Sequence, residues 1–582
     1  MRRLRVFLLT AALRLSVGCA TGQAGDLSSG LEELIAKIPE VSTGGRGISP
    51  AADELAKQLR GFGATAVPRL VGLLESDDEQ VREFAGYVVR DLDGLNESNL
   101  DALIKARRRG DGWIPPAIAR IGTPRAIAFL IDEMRRKPEQ SSQLTWALTR
   151  AGEKAAPALA AIFREDSPVS QELSKAIADV FGGMGPSAKN AVAPLLEIAA
   201  DKSRNTVNRL GAVDALGSIG AAAAEAVPRL RQLAKSEPAN FSDAVRRAIL
   251  GIGTPEAAEI LVARLKSAPP EMAVATVLRD IAALRENGRG AGPQVVKALY
   301  RDPWEDRVGA ALTLGYIGYA PASVELKQML QSKEDWRLVY AATMSLGRLQ
   351  DRSALPDLRR LAKDHWSPIV RNSALKAINA VEGSERHFSR WQPANFAFEY
   401  FEYQNLGFET SREQQEKIDK FRFRADPDEL QPAEIKKTVY QIEIVGYGVD
   451  GRQTKKSETT PRCALRFGDG LLVGGDRGEW GGELAYRDEK GGTHVLVPEN
   501  THAIHRMPFG VVAAIGLAHL TMNSGYLYMV TPTPGKLPTA KPWKVLPGAP
   551  KKTGILENGD LFVSCHGGDI LITPSGEFRR AE

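Results

Sequence analysis

The sequence lacks an excess of charge of either sign. Its 582 residues contain 76 Lys and Arg against 71 Asp and Glu, a net charge of +5, so electrostatics gives no reason to expect a nucleic-acid partner. Beyond the N-terminus a long apolar run is also missing, because the best internal stretch, 509–518, has half of the roughly 20 residues that a membrane-spanning helix needs. Hydrophobic residues still make up 43% of the chain, so most of it is expected to fold, and its length requires more than one domain.

Cysteine is scarce, with three residues in the whole chain. Cys19 lies in the N-terminal segment, which leaves Cys463 and Cys565 as an even pair in one C-terminal region. In an oxidising compartment these two can form a disulfide. Two isolated thiols are the alternative, since spacing alone cannot show contact.

Catalytic constellations are equally thin. His502 and His505 lie three residues apart in "THAIHRM", but no cysteine or pair of carboxylates accompanies them as further metal ligands. Cys565 and His566 are adjacent, and neighbouring side chains of a strand point to opposite faces, so these two cannot form a nucleophile–base dyad. We therefore predict no catalytic residue, no metal site and no cofactor.

The first residues have the layout of an export signal. Three arginines within the first five residues precede a short apolar stretch and then small residues. The stretch "LSVGC", ending at Cys19, resembles a bacterial lipoprotein signal, which implies lipidation of Cys19. Cleavage near Ala24, which releases a soluble periplasmic protein, is the alternative. We set residues 1–24 apart as this signal and expect membrane contact only through a lipid on Cys19.

A glycine-centred phrase recurs along the first two-thirds of the chain. The phrase "GSIGAAAAEAVPRL" at 217–230 has counterparts such as "GFGATAVPRL" and "GIGTPEAAEIL". The anchoring glycines are Gly63, Gly122, Gly152, Gly185, Gly220, Gly253 and Gly318. They are 30 to 35 residues apart, except for double steps of 59 and 65 residues at the two ends. A period of this size indicates stacked supersecondary units.

Each unit is predicted to be a pair of helices. Leu210, Val213 and Leu216 recur every three residues before Gly220, and a similar apolar spacing follows Pro228. Glycine can adopt the left-handed backbone that ends the first helix. Proline is tolerated in the first turn of the second helix, where its missing N–H is not needed.

The pattern resembles HEAT repeats, in particular the short form of the phycobilisome-lyase group. The stretches "DDEQVREFA" (77–85) and "SPIVRNSAL" (367–375) are similar to the Asp-x-x-Val-Arg-x-x-Ala opening of that family's first helix. The resemblance implies an α–α solenoid over residues 25–383, with about ten repeats and a concave face that binds a protein. The turn phrase is blurred at 94–113 and 283–292. Bilin lyase activity, suggested only by the group's name, disagrees with an export signal.

Three tryptophans mark the last repeats. Trp304, Trp336 and Trp366 are 32 and 30 residues apart, each just before a first helix, so we expect them to stack along one edge. One hypothesis is an aromatic strip for a partner, because tryptophan concentrates at binding hot spots. The other is that each indole covers the joint between two repeats.

The rest of the chain is predicted to be an aromatic-rich connector with one helix, residues 384–435, and a β-repeat domain, residues 436–582. Strand–turn–strand phrases recur every 43 residues, beginning at Gly481, Ser524 and Gly567. This period suits propeller blades, and the last stretch, 556–578, resembles a blade of the NHL or gluconolactonase-like propellers. Three copies are few for a closed ring, so a β-trefoil is the second choice.

The sequence thus predicts a multidomain chain that is helical first and β-rich second. We expect a non-enzymatic scaffold or adaptor that holds a protein partner at the bacterial cell envelope, through the concave face of the solenoid, the β domain or both. The alternative is a hydrolase-like enzyme with its active site in the propeller-like domain. That alternative requires buried polar residues that converge on one channel.

Overall fold

The computed structural model describes residues 23–41, 48–332, 335–383, 416, 418–445, 454–519 and 522–581. It divides into two compact units, Met1–Thr254 and Pro255–Glu582. The first unit is helical, and the second begins with helices and continues as β-sheets, which confirms the predicted order. Cys19 of the predicted signal and most of the connector, including the greater part of its predicted helix, lie outside the described residues.

The helices of the first unit have these bounds: α1 (Gln23–Ile35), α2 (Pro50–Arg60), α3 (Val67–Leu73), α4 (Glu79–Val89), α5 (Leu100–Arg108), α6 (Ile114–Ile121), α7 (Pro124–Arg136), α8 (Ser142–Ala151), α9 (Ala156–Ile162), α10 (Gln171–Met184), α11 (Val192–Ala200), α12 (Thr206–Ile219), α13 (Val227–Ser236) and α14 (Ala239–Ile252). The repeats of the second unit supply α15 (Pro255–Ser267), α16 (Ala275–Ala283), α17 (Gly292–Ala298), α18 (Trp304–Tyr316), α19 (Ser323–Met329), α20 (Trp336–Arg348), α21 (Leu355–Asp364) and α22 (Pro368–Val381).

The helices follow one another in the predicted pairs. In the part of the chain that the structure describes, ten pairs run from α2/α3 to α20/α21. Between the first and second helix of each pair lies one residue with a positive φ, which we name the stop residue. Within each unit the first helices, which are even-numbered, stack on one another more tightly than the second helices do. We name the even-numbered helices of each unit its inner row.

Residues with a positive φ end the first helices, as predicted. All seven anchoring glycines have φ between +50° and +76°. The two long intervals between anchoring glycines each contain one further residue with a positive φ, Gly94 (φ 94°) in the first and Arg285 (φ 52°) in the second. Gln350 (φ 53°) has the same role after α20, and Gly383 (φ 82°) has it after α22. The repeat therefore continues through the positions where its glycine is replaced.

The stretch around Gly220 shows how a unit turns. Helix α12 ends at Gly220, whose φ is 73°, and a 3₁₀ turn, Gly220–Ala226, leads to α13 with Pro228 in its first turn. The stretch Thr206–Ser236 has the length and composition of a membrane-spanning helix, but 56% of its most apolar window is buried in the protein. Since it is broken at Gly220, it is the core of one repeat.

Glycines also let neighbouring inner helices approach closely. A Cβ atom on Gly217 of α12 would lie 2.8 Å from the Cα atom of Ala248 on α14. In the second unit a Cβ atom on Gly315 of α18 would lie 2.7 Å from the Cα atom of Ser345 on α20. Both distances are too short for two non-bonded carbon atoms, so a side chain at either position would force the helices apart. These glycines therefore set the distance between neighbouring inner helices.

The β-region of the second unit has these strands: β1 (Tyr440–Val445), β2 (Thr454–Thr459), β3 (Cys463–Phe467), β4 (Gly470–Asp476), β5 (Gly482–Arg487), β6 (Thr493–Val497), β7 (Thr501–Met507), β8 (Gly510–His519), β9 (Met522–Thr533), β10 (Lys536–Val545), β11 (Pro550–Ile555), β12 (Leu561–Cys565), β13 (Gly568–Ile572) and β14 (Phe578–Arg580). A short helical turn, Pro432–Ile435, precedes them.

The strands form three four-stranded antiparallel sheets and one two-stranded sheet, β1–β2. Each large sheet takes its strands in chain order, β3 to β6, β7 to β10 and β11 to β14. The predicted strand–turn–strand units are the central hairpins of these sheets, β4–β5, β8–β9 and β12–β13. The sheets are thus established, and their closure into a propeller stays a prediction.

Apolar side chains hold the sheets together face to face. Leu465 of the first sheet and Val511 of the second belong to one buried cluster, and Val512 of the second and Val563 of the third belong to another. The connector crosses from the third sheet to the first, since the backbone N–H of residue 424 donates to the carbonyl of residue 555 at 2.7 Å and that of residue 430 to the carbonyl of residue 464 at 3.0 Å.

The β-region is attached to the amino ends of α20 and α22. The indole N–H of Trp336 donates to the backbone carbonyl of Leu546 at 3.2 Å. Trp366, just before α22, stacks on Phe578 with ring centres 3.8 Å apart. Strand β13 packs against α22. Two of the three predicted edge tryptophans therefore form the joint between the repeats and the sheets.

We expect Gly217→Ala to lower the free energy of unfolding of the first unit by about 1–3 kcal/mol, because α12 and α14 must move apart. The matched control is Gly72→Ala on α3, where an added Cβ meets open space, so that helix propensity alone predicts a gain of about 0.5–1 kcal/mol. Urea unfolding followed by circular dichroism at 222 nm measures both. Equal stabilities of the two variants would contradict the close approach.

We expect Trp366→Ala to loosen the joint, at a cost of about 3 kcal/mol, because it removes a large stacked side chain. Hydrogen exchange of the amides of β13 and β14 should accelerate by at least tenfold. The control is Trp480→Ala, since Trp480 is 76% exposed in the same β-region. Unchanged exchange in both strands of the Trp366→Ala variant would show that the stacking does not hold the sheets in place.

Candidate functional site

Tyr87, on inner helix α4, is flanked by two arginines. The guanidinium carbons of Arg60 and Arg90 each lie 4.8 Å from the centre of its ring, and Trp113 meets the ring edge-on at 5.2 Å. Arg60 also donates from Nη2 to the backbone carbonyl of Tyr87 at 2.6 Å. It thereby caps the carboxyl end of α4, where carbonyl groups lack partners within the helix. We name these four residues the Tyr87 cluster.

Arginine recurs every 30 residues at the carboxyl ends of the first inner helices, at Arg60, Arg90, Arg120 and Arg150. Asp91 lies among three of them, with carboxylate oxygens 2.6 Å from Arg90, 3.9 Å from Arg60 and 3.6 Å from Arg150. Cations at helix carboxyl ends are favourable because the helix dipole is negative there. A structural role therefore accounts for the positions, and the edge that results is positively charged.

The same edge carries an exposed indole. Trp146, on inner helix α8, is 44% exposed, and the guanidinium carbon of Arg150 lies 4.9 Å from the centre of its ring. Tryptophan and arginine are the residue types that most often dominate binding energy at protein interfaces. This pair is the candidate binding surface of the first unit. Tyr87 is 7% exposed and its hydroxyl donates to Asp53 Oδ1 at 2.8 Å, so the Tyr87 cluster has a structural role at this edge.

The second unit has a comparable arrangement around Tyr316, the last residue of α18. The guanidinium carbons of Arg285 and Arg348 lie 5.0 Å and 4.0 Å from the centre of its ring. Arg348 also donates from Nη2 to the Tyr316 hydroxyl at 2.9 Å. These side chains line a cavity of about 900 Å³, which we name the Tyr316 cavity. Its other polar lining residues are Glu286, Asn287, Arg289 and Gln350.

Backbone strain is concentrated at the Tyr316 cavity. Among the described residues, Arg285 and Gln350 are the two that have a positive φ without being glycine, and both line this cavity. A left-handed backbone costs a residue with a side chain roughly 1–2 kcal/mol that glycine does not pay. Strained residues of this kind cluster at functional sites. For Arg285 the sequence contains a signal, because the turn phrase departs from its usual wording at 283–292.

The cavity is positively charged. Three arginines line it, and Glu286 is the one acidic side chain among its described lining residues. Burial lowers the pKa of the Arg285 guanidinium, and the neighbouring charge of Arg348 lowers it further, against the influence of Tyr316. The Tyr316 cavity is therefore a place where an anionic group would be stabilised.

The three predicted edge tryptophans differ in their contacts. Trp304 lies against Arg337, whose guanidinium carbon is 3.2 Å from the centre of the indole, and Arg337 is held by Asp335 through Nη2 at 2.7 Å. Trp336 and Trp366 contact the β-region of the same unit, as described above. Use of this edge by another protein stays a prediction.

The structure does not bring the two C-terminal cysteines together. Cys463 on β3 and Cys565 on β12 are both buried and are not joined by a disulfide, and they belong to different apolar clusters. Burial raises the pKa of the Cys463 thiol to about 12 and raises the pKa of Cys565 as well. Both cysteines are therefore held as uncharged core side chains.

His502 and His505 lie on strand β7 and have separate partners. His502 Nε2 is 2.9 Å from the carbonyl oxygen of Gly516, whereas His505 Nε2 is 2.7 Å from the hydroxyl of Thr553. Burial lowers the pKa of His505 to about 4, so the ring is neutral at pH 7. Within the described ranges there is no group of three or more His, Cys, Asp or Glu that could hold a metal ion.

A buried carboxylate in the β-region is accounted for by its neighbours. Glu483 is 1% exposed. It accepts a hydrogen bond from the Tyr440 hydroxyl and another from Arg477 Nη1 at 3.2 Å. Burial raises the pKa of Tyr440 well above its usual range, and Glu483 adds to the shift. The three residues attach β1 to the first large sheet, and this pairing explains them without a chemical step.

The comparisons with known proteins support the helical repeats. The sequence matches the family described as HEAT repeats over residues 192–279 and 292–379. No curated protein matches the chain.

Solved structures with partial similarity are helical-repeat proteins. Human deoxyhypusine hydroxylase in complex with glycerol is 20% identical over 44% of this chain and 96% of that one, with a TM-score of 0.17. Importin beta is 12% identical over 62% and 56%, with a TM-score of 0.30, and Kap121p bound to Nup53p is 10% identical over 62% and 46%, with a TM-score of 0.32. Similarity at this level carries no information about the activity of this chain. The chain contains HEAT repeats over residues 192–279 and 292–379, within a helical region of a fold typical of protein-interaction scaffolds.

Proposed function

We propose that the protein is a non-enzymatic scaffold that holds a protein partner on the inner row of its helical repeats. The observation that carries this proposal is the pair of arginine–aromatic arrangements at the carboxyl ends of inner helices, Trp146 with Arg150 in the first unit and the groups around Tyr316 in the second. Repeat arrays offer extended surfaces of this kind for docking. Arginine and aromatic side chains supply the dominant binding energy at such surfaces.

The place of action that we propose is the bacterial cell envelope. It rests on residues 1–24, whose basic, apolar and small residues follow one another in the order of an export signal. A lipid on Cys19 would attach the repeats to a membrane surface, and cleavage near Ala24 would release them into the periplasm. Either outcome places the repeats and the sheets outside the cytoplasm.

For the β-region we propose a propeller-like arrangement, and for the helical repeats the short phycobilisome-lyase type. The inner strands of successive large sheets, β3, β7 and β11, contact one another in order. The connector then links the end of β11 back to β3. Both features support a ring in which the connector and β1–β2 occupy the place of a fourth blade.

We expect Trp146→Ala combined with Arg150→Ala to reduce recovery of the partner at least tenfold. The full chain is used to capture cross-linked proteins from envelope membranes, and each captured protein is quantified by mass spectrometry against wild type. A tenfold loss corresponds to about 1.4 kcal/mol, which is below the usual effect of one hot-spot residue.

The matched control is Tyr300→Ala. Tyr300 is an aromatic residue that follows α17, outside the inner row, and it is 69% exposed. It should leave recovery unchanged. If both variants recover every protein as well as wild type does, the candidate surface of the first unit does not bind a partner.

We expect Cys19→Ala to abolish membrane association and Cys463→Ala to leave it intact, because only Cys19 lies in the predicted signal. Fractionation of bacteria that express the tagged chain measures association, and intact mass of the membrane-extracted protein identifies a diacylglycerol or further acyl mass. A mature N-terminus at Gly25 without added mass would contradict lipidation and favour the soluble periplasmic form. A chain that stays in the cytoplasm would contradict export.

A further inference from the structure

We propose that the Tyr316 cavity binds a carboxylate-bearing segment of a protein partner, a short run of Asp or Glu side chains in extended conformation. This inference rests on the proposed scaffold function and names the chemistry of the partner at one site. It is argued from the position of the cavity in the repeat, from its charge and from the shape of its lining side chains.

The first argument is the replacement of the repeat's glycine. The repeats that line the cavity are preceded by a stop residue Gly253 and followed by Gly383, both glycines. At positions 285 and 350 the stop residues are instead Arg and Gln, with the same positive φ. Both replacements point to one cavity. A polar side chain has thus been placed twice where the fold alone favours glycine.

The second argument is the shape of the charged groups. Arg285 and Arg348 lie over the Tyr316 ring, which holds their planar guanidinium groups in fixed orientations. A guanidinium offers paired N–H donors that match the two oxygens of a carboxylate. The side-chain amides of Asn287 and Gln350 can donate to and accept from a peptide backbone, which favours a peptide over an isolated acid.

The third argument is the helix polarity, which favours a carboxylate over a phosphate. The helices α16, α18 and α20 all present their carboxyl ends to the cavity. Phosphate sites typically use helix amino ends, where backbone N–H groups and the positive end of the dipole face the anion. Here the negative helix ends oppose any anion and the positive charge comes from side chains alone, so a singly charged carboxylate meets less opposition than a doubly charged phosphate.

The cavity also lies apart from the joint with the β-region. The sheets are attached at the amino ends of α20 and α22, whereas the cavity lies at the carboxyl ends of the inner helices. All of its described lining residues belong to the repeats, from Leu284 to Gly383. A ligand can therefore be tested there without disturbing Trp336 or Trp366.

The test measures binding of a fluorescein-labelled octaglutamate peptide to the full chain by fluorescence anisotropy at low salt. We expect saturable binding that weakens as salt is raised. Arg289→Gln, which changes an exposed side chain, and Arg285→Gly should each weaken binding at least fivefold. Arg285→Gly restores the repeat's glycine and removes the backbone strain, so it should lose binding without a fall in Tm.

The matched control is Lys297→Gln, which removes an exposed positive charge of α17 that does not line the cavity and keeps all three arginines. Its affinity should stay within threefold of wild type. An octalysine peptide should not bind. The proposal is overturned if octaglutamate does not bind, if it binds the arginine variants as well as wild type, or if inorganic phosphate displaces it at a concentration below that of free glutamate.

The outcomes separate the site from the scaffold function. If octaglutamate fails to bind while envelope proteins are still captured through Trp146 and Arg150, the cavity assignment falls and the scaffold function stands. If octaglutamate binds at the arginines while no envelope protein is captured, the cavity assignment stands and the scaffold function falls.

Discussion

The helical part of the protein depends on one backbone constraint, a positive φ at the residue that ends each first helix. Because each pair of helices must reverse within a few residues, the chain leaves the right-handed region there, at little cost when the residue is glycine. A stop displaced by one residue would rotate the next helix by about 100° and turn its apolar face away from its neighbour. The spacing of the stops therefore determines which side chains are buried throughout the row, and the near contact of Gly217 with Ala248 follows from that alignment.

The sequence predicts this constraint well and its exceptions poorly. Glycine spacing and apolar periodicity are local signals, so the helix pairs, the positive φ at Gly220 and the α-then-β order could be predicted. Arg285 and Gln350 could not, because neither residue type indicates a left-handed backbone. Their significance depends on their convergence with Tyr316 from three successive repeats, which no short stretch of sequence records. The irregular turn sequence at 283–292 indicated the position of Arg285 but not its role.

Non-local contacts account for most of the remaining differences. The even spacing of three tryptophans predicts a shared edge, but two of them meet residues more than 200 positions later, Leu546 and Phe578. Likewise, the 43-residue period revealed the central hairpin of each large sheet, where apolar residues are densest, and left the outer strands unassigned. The pairing of Cys463 and Cys565 was open for the same reason, since only the fold shows that they belong to different cores.

The attachment of β13 to α22 has a consequence for how the protein can vary in size. A stack of repeats ends in an apolar helix face that must be shielded from water, usually by an atypical terminal unit. Here strand β13 contacts α22, the last described helix of the repeats, near its amino end, so a repeat duplicated directly after α22 would have to keep room for that sheet. Insertion of a repeat upstream of that helix leaves this contact intact, because a new unit there meets two faces of its own kind.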